Sequence, residues 1–158
     1  MIRVGIGYDS HRLVPGRPFI LGGQRIAFEL GLLGHSDADA VAHALIDAML
    51  GAAAIGNIGT LFPDSDQRWK AANSMELLRS AYELVLAKGW KLAQADITII
   101  VEQPRLSSHL PAMSHALAQV VGLPDDAISV KPKTNEGMGF IGRGEGIAVM
   151  AVALLEAR

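Results

Sequence analysis

The chain has no cysteine, so disulfides and thiolate metal ligands are both excluded. Aromatics make up only 5% of the 158 residues while hydrophobics make up half, so any core must be built from Ala, Val, Ile and Leu. Excess charge is also missing. The formal net charge is −2, with no basic run interleaved with aromatics, which argues against a nucleic-acid partner. No apolar stretch reaches membrane-spanning length, because Gly, Pro or a charged residue interrupts each candidate. The opening MIRVGIGYDSH lacks the basic and apolar regions of a signal peptide, so a cytoplasmic protein with no membrane partner is expected. The length suits one domain spanning residues 1–158, large enough for a sizeable core.

What is present is ordered into alternating signals. A strand is expected over about Arg3 to Arg12, then a hairpin from PFIL and RIAFEL, bracketed by Pro15-Gly16 and Gly22-Gly23. A helix follows from about Asp37 to Ala54, with Ser36 or Asp37 as its cap. GNIGTLFPDSDQ reads as a loop. Asn73-x-x-Glu76 opens a second helix that Lys88-Gly89 closes, and Pro111 opens a third that stops at Gly122. DITIIVE, AISVKPK and GIAVMAVALLE read as strands. The last is apolar at nearly every position, so neither face suits water. Helices would cover one face. The other calls for an oligomer, or else for a strand fully buried within the monomer.

Asp9 and His11 stand two apart in the first strand, so both side chains leave the same face. His43, from the first long helix, would complete three ligands with one coordination position open, the arrangement of a catalytic zinc. Asp39, His43 and Asp47 recur at i, i+4 in an otherwise apolar helix. Asp47 is placed to orient the His43 ring by a hydrogen bond, although a plain helix ion pair would look the same in sequence. KPKTNEGMGFIGRGEG gathers cations, a hydroxyl, a carboxylate and glycines. Its backbone N–H groups and cations could wrap a polyphosphate with Glu136 on Mg²⁺, or it could be a Gly-rich hairpin that only turns the chain. It is not a P-loop, because the GxxxxGK[ST] spacing is absent.

Four motifs occur in order: D-S-H, G-H-S-D-A-D-A-x-x-H-A-L-x-D-A, G-x-I-G-x-x-F-P-D-x-D and K-T-N-E-G-x-G-F-x-G-R-G-E-G. Together they closely resemble the 2-C-methyl-D-erythritol 2,4-cyclodiphosphate synthase family over essentially the whole chain. The resemblance implies an α/β fold of α+β type, a mixed β-sheet with helices packed on one face, assembled as a homotrimer with active sites between subunits. It implies one Zn²⁺ per subunit on Asp9, His11 and His43, and Mg²⁺ or Mn²⁺ on Glu136. It implies cyclisation of 4-diphosphocytidyl-2-C-methyl-D-erythritol 2-phosphate with loss of CMP, His35 and Thr134 acting at the reacting phosphates.

His35, Ser36 and the Phe62, Pro63, Asp64, Ser65, Asp66 loop would meet the erythritol phosphate end, beside Asn57, Ile58 and Gly59. Val101, Glu102, Gln103, Pro104, Arg105, Leu106 and Ser107 would form the cytosine pocket, largely through backbone. Lys133, Thr134, Asn135 and Glu136 would bracket the diphosphate. Phe140 and Arg143 match positions at the trimer's central cavity, which in some relatives holds an isoprenoid diphosphate. Two positions depart from the family pattern. Asn57 stands where Asp is usual, and Pro132-Lys133 replaces the commoner Ala-Thr. Two other readings remain on sequence grounds: a zinc phosphodiesterase that would give linear products, and a non-catalytic trimer binding isoprenoid diphosphates.

Overall fold

In the first strand, β1 (Ile2–Val14), exposure alternates residue by residue, as a pleated strand with one covered face requires. The computed structural model describes all residues from Met1 to Arg158. Odd-numbered residues of β1 face a layer of helices, and even-numbered ones face outward. β1 lies in a five-stranded mixed sheet, ordered β4-β1-β7-β5-β6, with β4 (Gly31–Leu32), β5 (Trp90–Ile100), β6 (Ile128–Lys133) and β7 (Gly146–Ala157). Only the β5–β6 pair is parallel. A separate hairpin joins β2 (Phe19–Leu21) to β3 (Gln24–Ile26).

The helix α1 (Ala40–Ala53) lies against the inner face of β1 and β7. Its approach is set by Gly5 and Gly7: a Cβ on either would fall 2.0 Å and 1.9 Å from the carbonyl oxygens of Ala48 and Ala44. Glycine on the strand and alanine on the helix therefore bring the two backbones nearly into contact. Eleven of the helix residues are buried, and the other three, His43, Asp47 and Gly51, form one i, i+4, i+8 line.

The helix starts later than the sequence signals suggest. Asp39, not Ser36 or Asp37, is its N-cap, accepting from Val41 N and Ala42 N at 3.1 Å. The same fully buried carboxylate accepts from Gly22 N and Gly23 N at 2.9 and 2.8 Å, tying the β2–β3 turn to α1. Asp39 thus belongs to a buried junction, not to the solvent-side line.

α3 (Ser74–Ala87) and α4 (Leu110–Val121) complete the helical layer, ending at Gly89 and Gly122 with φ of +82° and +67°. GNIGTLFPDSDQ is not wholly loop. It contains α2 (Ile58–Leu61), capped reciprocally by Asn57 and Thr60. A second short helix, α5 (Gly139–Gly142), lies in the Gly-rich segment. No helix is long and apolar enough to cross a membrane.

The outer sheet face is uncovered. Ile2, Val4 and Ile6 are each 65% exposed and Tyr8 54%, and the β1–β7 register sets Ile6 beside Val152 and Tyr8 beside Met150. One continuous apolar face results.

Candidate metal centre

β1 delivers Asp9 and His11 to the helix side, and the close β1–α1 approach delivers His43 to meet them. His11 Nε2 lies 2.7 Å from Asp9 Oδ2, His43 Nδ1 lies 3.1 Å from the same oxygen, and the two ring nitrogens are 3.4 Å apart. A tetrahedral ion at about 2.1 Å from each would need edges of roughly 3.4 Å, so the His11–His43 edge fits, the His43–Asp9 edge must widen by about 0.3 Å and the Asp9–His11 edge by about 0.7 Å.

Each ring has an acceptor at its outer nitrogen, so the inner nitrogen is the one an ion would take. His11 Nδ1 donates to the Leu33 carbonyl at 2.8 Å, leaving Nε2 for an ion. His43 Nε2 donates to Ser74 Oγ at 2.8 Å, and that hydroxyl donates in turn to Asp37, whose other oxygen accepts from Ser74 N at 3.0 Å. These partners fit a metal with nitrogen and oxygen ligands. Asp47 does not orient His43. Its carboxylate accepts from Ile58 N at 2.7 Å and anchors the first turn of α2. The i, i+4 spacing was real, but the carboxylate serves the next element of the chain.

Burial alone would raise the Asp9 carboxyl, yet hydrogen bonds and charge from His11 and His43 outweigh it and hold the group below its ordinary 3.8. Burial would likewise depress His11. Asp9, by hydrogen bond and charge, wins and raises it above 6.5.

The three ligands open on a cleft of about 460 Å³ that also takes in His35, Ser36, Ile58, Gly59, Phe62, Pro63 and Asp64. Phe62 meets Trp69 edge to face at 5.1 Å and forms an apolar wall. Asn57, Ser65 and Asp66 stand outside this lining. Asn57 Oδ1 accepts from Thr60 N at 3.0 Å, and Asp66 pairs with Arg68 at 2.6 Å, which holds its carboxyl below the ordinary range. The Asp66 backbone oxygen still touches His35 Nε2, at 3.3 Å.

A second cleft, of about 290 Å³, lies between the ends of β5 and β6 and gathers Val101, Glu102, Pro104, Arg105, Leu106, Ser107, Lys133 and Thr134. Gln103 turns instead toward a third, of about 280 Å³, with Arg143. Lys133 Nζ reaches Glu136 at 3.0 Å, and its hydrogen bond and charge keep that carboxyl low. Two of the loop N–H groups are not free for an anion: Asn135 N and Gly137 N both donate to Glu102 Oε1. Phe140 is 40% exposed, and Arg143 pairs with Glu145 at 3.2 Å.

Ser74 and Asp37 were missed by sequence reasoning. Ser74 is buried and lies 31 positions from His43, with no local pattern linking the two.

The family model of the YgbB family matches residues 2–156. The chain belongs to the YgbB family. A 2-C-methyl-D-erythritol 2,4-cyclodiphosphate synthase of Synechococcus sp. (strain JA-2-3B'a(2-13)) is 51% identical over 154 residues, covering 98% of each chain. A solved 2C-methyl-D-erythritol-2,4-cyclodiphosphate synthase in its CDP-bound form superposes with a TM-score of 0.89 at 44% identity, covering 98% of this chain and 100% of that one. The bifunctional IspDF of Campylobacter jejuni superposes with a TM-score of 0.96 at 43% identity. It covers 100% of this chain, which spans only 43% of that longer protein. The family recognised from the four motifs is thus the family of the chain, an enzyme family of cyclodiphosphate synthesis.

Proposed function

We propose that the chain closes a ring within 4-diphosphocytidyl-2-C-methyl-D-erythritol 2-phosphate. An oxygen of the 2-phosphate bonds to the β-phosphorus, the bond from that phosphorus to the CMP oxygen breaks, and CMP leaves with the electron pair. The product is 2-C-methyl-D-erythritol 2,4-cyclodiphosphate. The observation that carries this reading is the set of Asp9, His11 and His43 donor atoms, all within 4.8 Å of one another, at a cleft with room for a small phosphorylated molecule. The attacking phosphate is already anionic, so positioning and charge neutralisation suffice and no nucleophile from the protein is needed.

Asp9, His11 and His43 would hold one Zn²⁺ per subunit and Glu136 a Mg²⁺ or Mn²⁺, together supplying Lewis acidity and charge neutralisation at the phosphates. His35 and Ser36 border the same cleft and would orient the 2-phosphate end. Phe62 and Trp69 would exclude water on the apolar side of the sugar. Lys133 and Thr134 would meet the diphosphate, and the Val101–Ser107 backbone would take the cytosine. Holding both ends in line contributes on the order of 7 kcal/mol.

The substrate must reach both clefts, and within one chain they lie apart. Asp9, Val149, Ile99 and Pro132 occupy one row across four strands. Three strand spacings separate the metal ligand from the Lys133 end, roughly 14 Å. The apolar outer face of β1 and β7 supplies a reason to assemble. A homotrimer would bring the Lys133–Glu136 loop of one subunit to the metal centre of the next, and Phe140 and Arg143 to its central cavity, where an isoprenoid diphosphate could sit.

The test is phosphorus NMR of the protein with substrate, zinc and Mg²⁺. Cyclic diphosphate and CMP are expected. Linear products carrying solvent oxygen would replace this reading by hydrolysis, and no metal-dependent CMP release would leave only a binding protein.

A further inference from the structure

Glu136 is held at φ of +54°, a left-handed conformation that a β-carbon disfavours. Something must keep it there. The peptide N–H groups on either side, of Asn135 and Gly137, converge on one atom, Glu102 Oε1, at 2.9 and 3.3 Å. The N–H of Glu136 itself donates to Thr134 Oγ1 at 3.3 Å. Three consecutive N–H groups therefore have partners within the chain, and the hollow formed by Asn135 and Gly137 is filled by a carboxylate belonging to this protein. With the backbone turned inward, the Glu136 carboxylate is left outward, its side chain 73% exposed.

Glu102 is itself well placed to act as an anchor. It follows Val101, whose N–H donates to the Lys133 carbonyl at 2.8 Å and so extends the β5–β6 pairing to the last residue before the loop. Its side chain is partly buried, and it is the residue shared by the cleft holding Thr134 and the cleft holding Arg143. Its side chain thus does something different from the backbone contact to cytosine expected of this segment.

We propose that Glu102 is a positioning residue for the cyclisation. Its carboxylate clamps the Asn135 and Gly137 N–H groups and so fixes the direction in which Glu136 and Thr134 meet the diphosphate and its divalent ion. The inference rests on the function proposed above. The clamp itself has a readout that needs no turnover.

Three forms are compared: wild type, Glu102→Ala and Glu102→Gln. Hydrogen exchange at the Asn135 and Gly137 amides is expected to be about tenfold faster in E102A, because two charge-assisted hydrogen bonds are lost. The amide oxygen of E102Q can accept the same two bonds, so that variant should stay within about threefold of wild type. The Mn²⁺ concentration giving half-maximal CMP release should rise about tenfold in E102A and be restored in E102Q, with zinc affinity the same in all three. A general loss of structure would weaken zinc as well, which separates the two explanations. Wild-type exchange or wild-type Mn²⁺ dependence in E102A would overturn the proposal, as would an E102Q as impaired as E102A. If E102A does not fold, E102Q decides alone: near-wild-type Mn²⁺ dependence supports the clamp, and a rise of tenfold or more refutes it. A wild-type protein that releases no CMP would sink the proposed function instead, and the exchange data would still judge the clamp.

Discussion

The carbonyl oxygen of Ala44 lies 1.9 Å from where a Cβ on Gly7 would be. That clearance is the distance at which His43, one residue earlier, can reach Asp9, two residues later. Gly7→Ala is therefore expected to push α1 off β1 and separate the ligands. Overpacking against backbone should cost about 3 kcal/mol of stability. Urea denaturation measures that loss, and zinc content after dialysis should fall with it. A G7A protein of wild-type stability with full zinc occupancy would disprove the packing argument.

The hydroxyl of Ser74 is expected to matter to zinc although it would not touch the ion. Ser74→Ala removes the nearer acceptor of the His43 Nε2–H, leaving only Ser36 Oγ at 3.2 Å, and takes the hydroxyl donor from Asp37. Zinc affinity should drop about 10- to 100-fold in chelator competition, the usual scale for an outer hydrogen-bond partner. Asp47→Asn should leave zinc affinity near wild type, because Asp47 anchors α2 and not the ring. The reverse ranking of the two variants would restore Asp47 to the role its spacing suggested.

That contrast shows what the sequence can and cannot carry. Asp9 and His11 were legible because two residues on one strand share a face whatever the fold around them. The His43–Asp47 line was legible as a line, but i, i+4 spacing says only that both side chains leave one side of a helix. What each one meets is decided by elements that arrive later, Ser74 at the start of α3 and Ile58 at the start of α2. Gly5 and Gly7 were in plain view as alternate strand residues, yet nothing marks them as a helix seat until Ala44 and Ala48 are opposite. In sequence, KPKTNEGMGFIGRGEG suits either a polyphosphate cradle with free N–H groups or a Gly-rich hairpin that only turns the chain. Glu102, 33 residues upstream of Asn135, claims two of those N–H groups.

Titration of the metal-free centre should show in stability. The folded-state Asp9 carboxyl is lowered, so its contribution is present above the ordinary 3.8 and is lost as pH falls through the lower folded value. His11 is raised, so its contribution is present below 6.5 and is lost as pH rises through the higher folded value. Zinc-free protein should therefore draw on both contributions between about pH 4 and 6.5, with each lost on its own side of that window. Zinc needs unprotonated imidazoles, so zinc should stabilise increasingly as pH rises and oppose the alkaline fall. Urea midpoints across pH, with and without zinc, measure this. Identical alkaline limbs for the two forms would be inconsistent with zinc at His11.

Assembly can be tested by mixing two dead proteins. His43→Ala would lose the proposed metal centre and Glu136→Ala the proposed divalent-ion carboxylate, and each variant alone should be inactive. If every active site joins the metal centre of one subunit to the Lys133–Glu136 loop of its neighbour, a mixed trimer contains sites whose two halves are both intact. Equal mixing and reassembly should then recover about one quarter of wild-type activity, since each half is intact in half of the subunits. A site contained within one chain would recover none, whatever the mixing ratio. The same logic makes Ile6→Glu a control. A charge amid Val4, Tyr8 and Val152 on the uncovered face should leave the monomer folded, because Ile6 is 65% exposed there, but should prevent assembly and with it all complementation. Light scattering gives the mass of each form. An I6E monomer that kept full CMP release would place the whole reaction on one chain, and the roughly 14 Å between Asp9 in β1 and the Lys133 end of β6 would then have to be spanned by motion of the 133–137 loop.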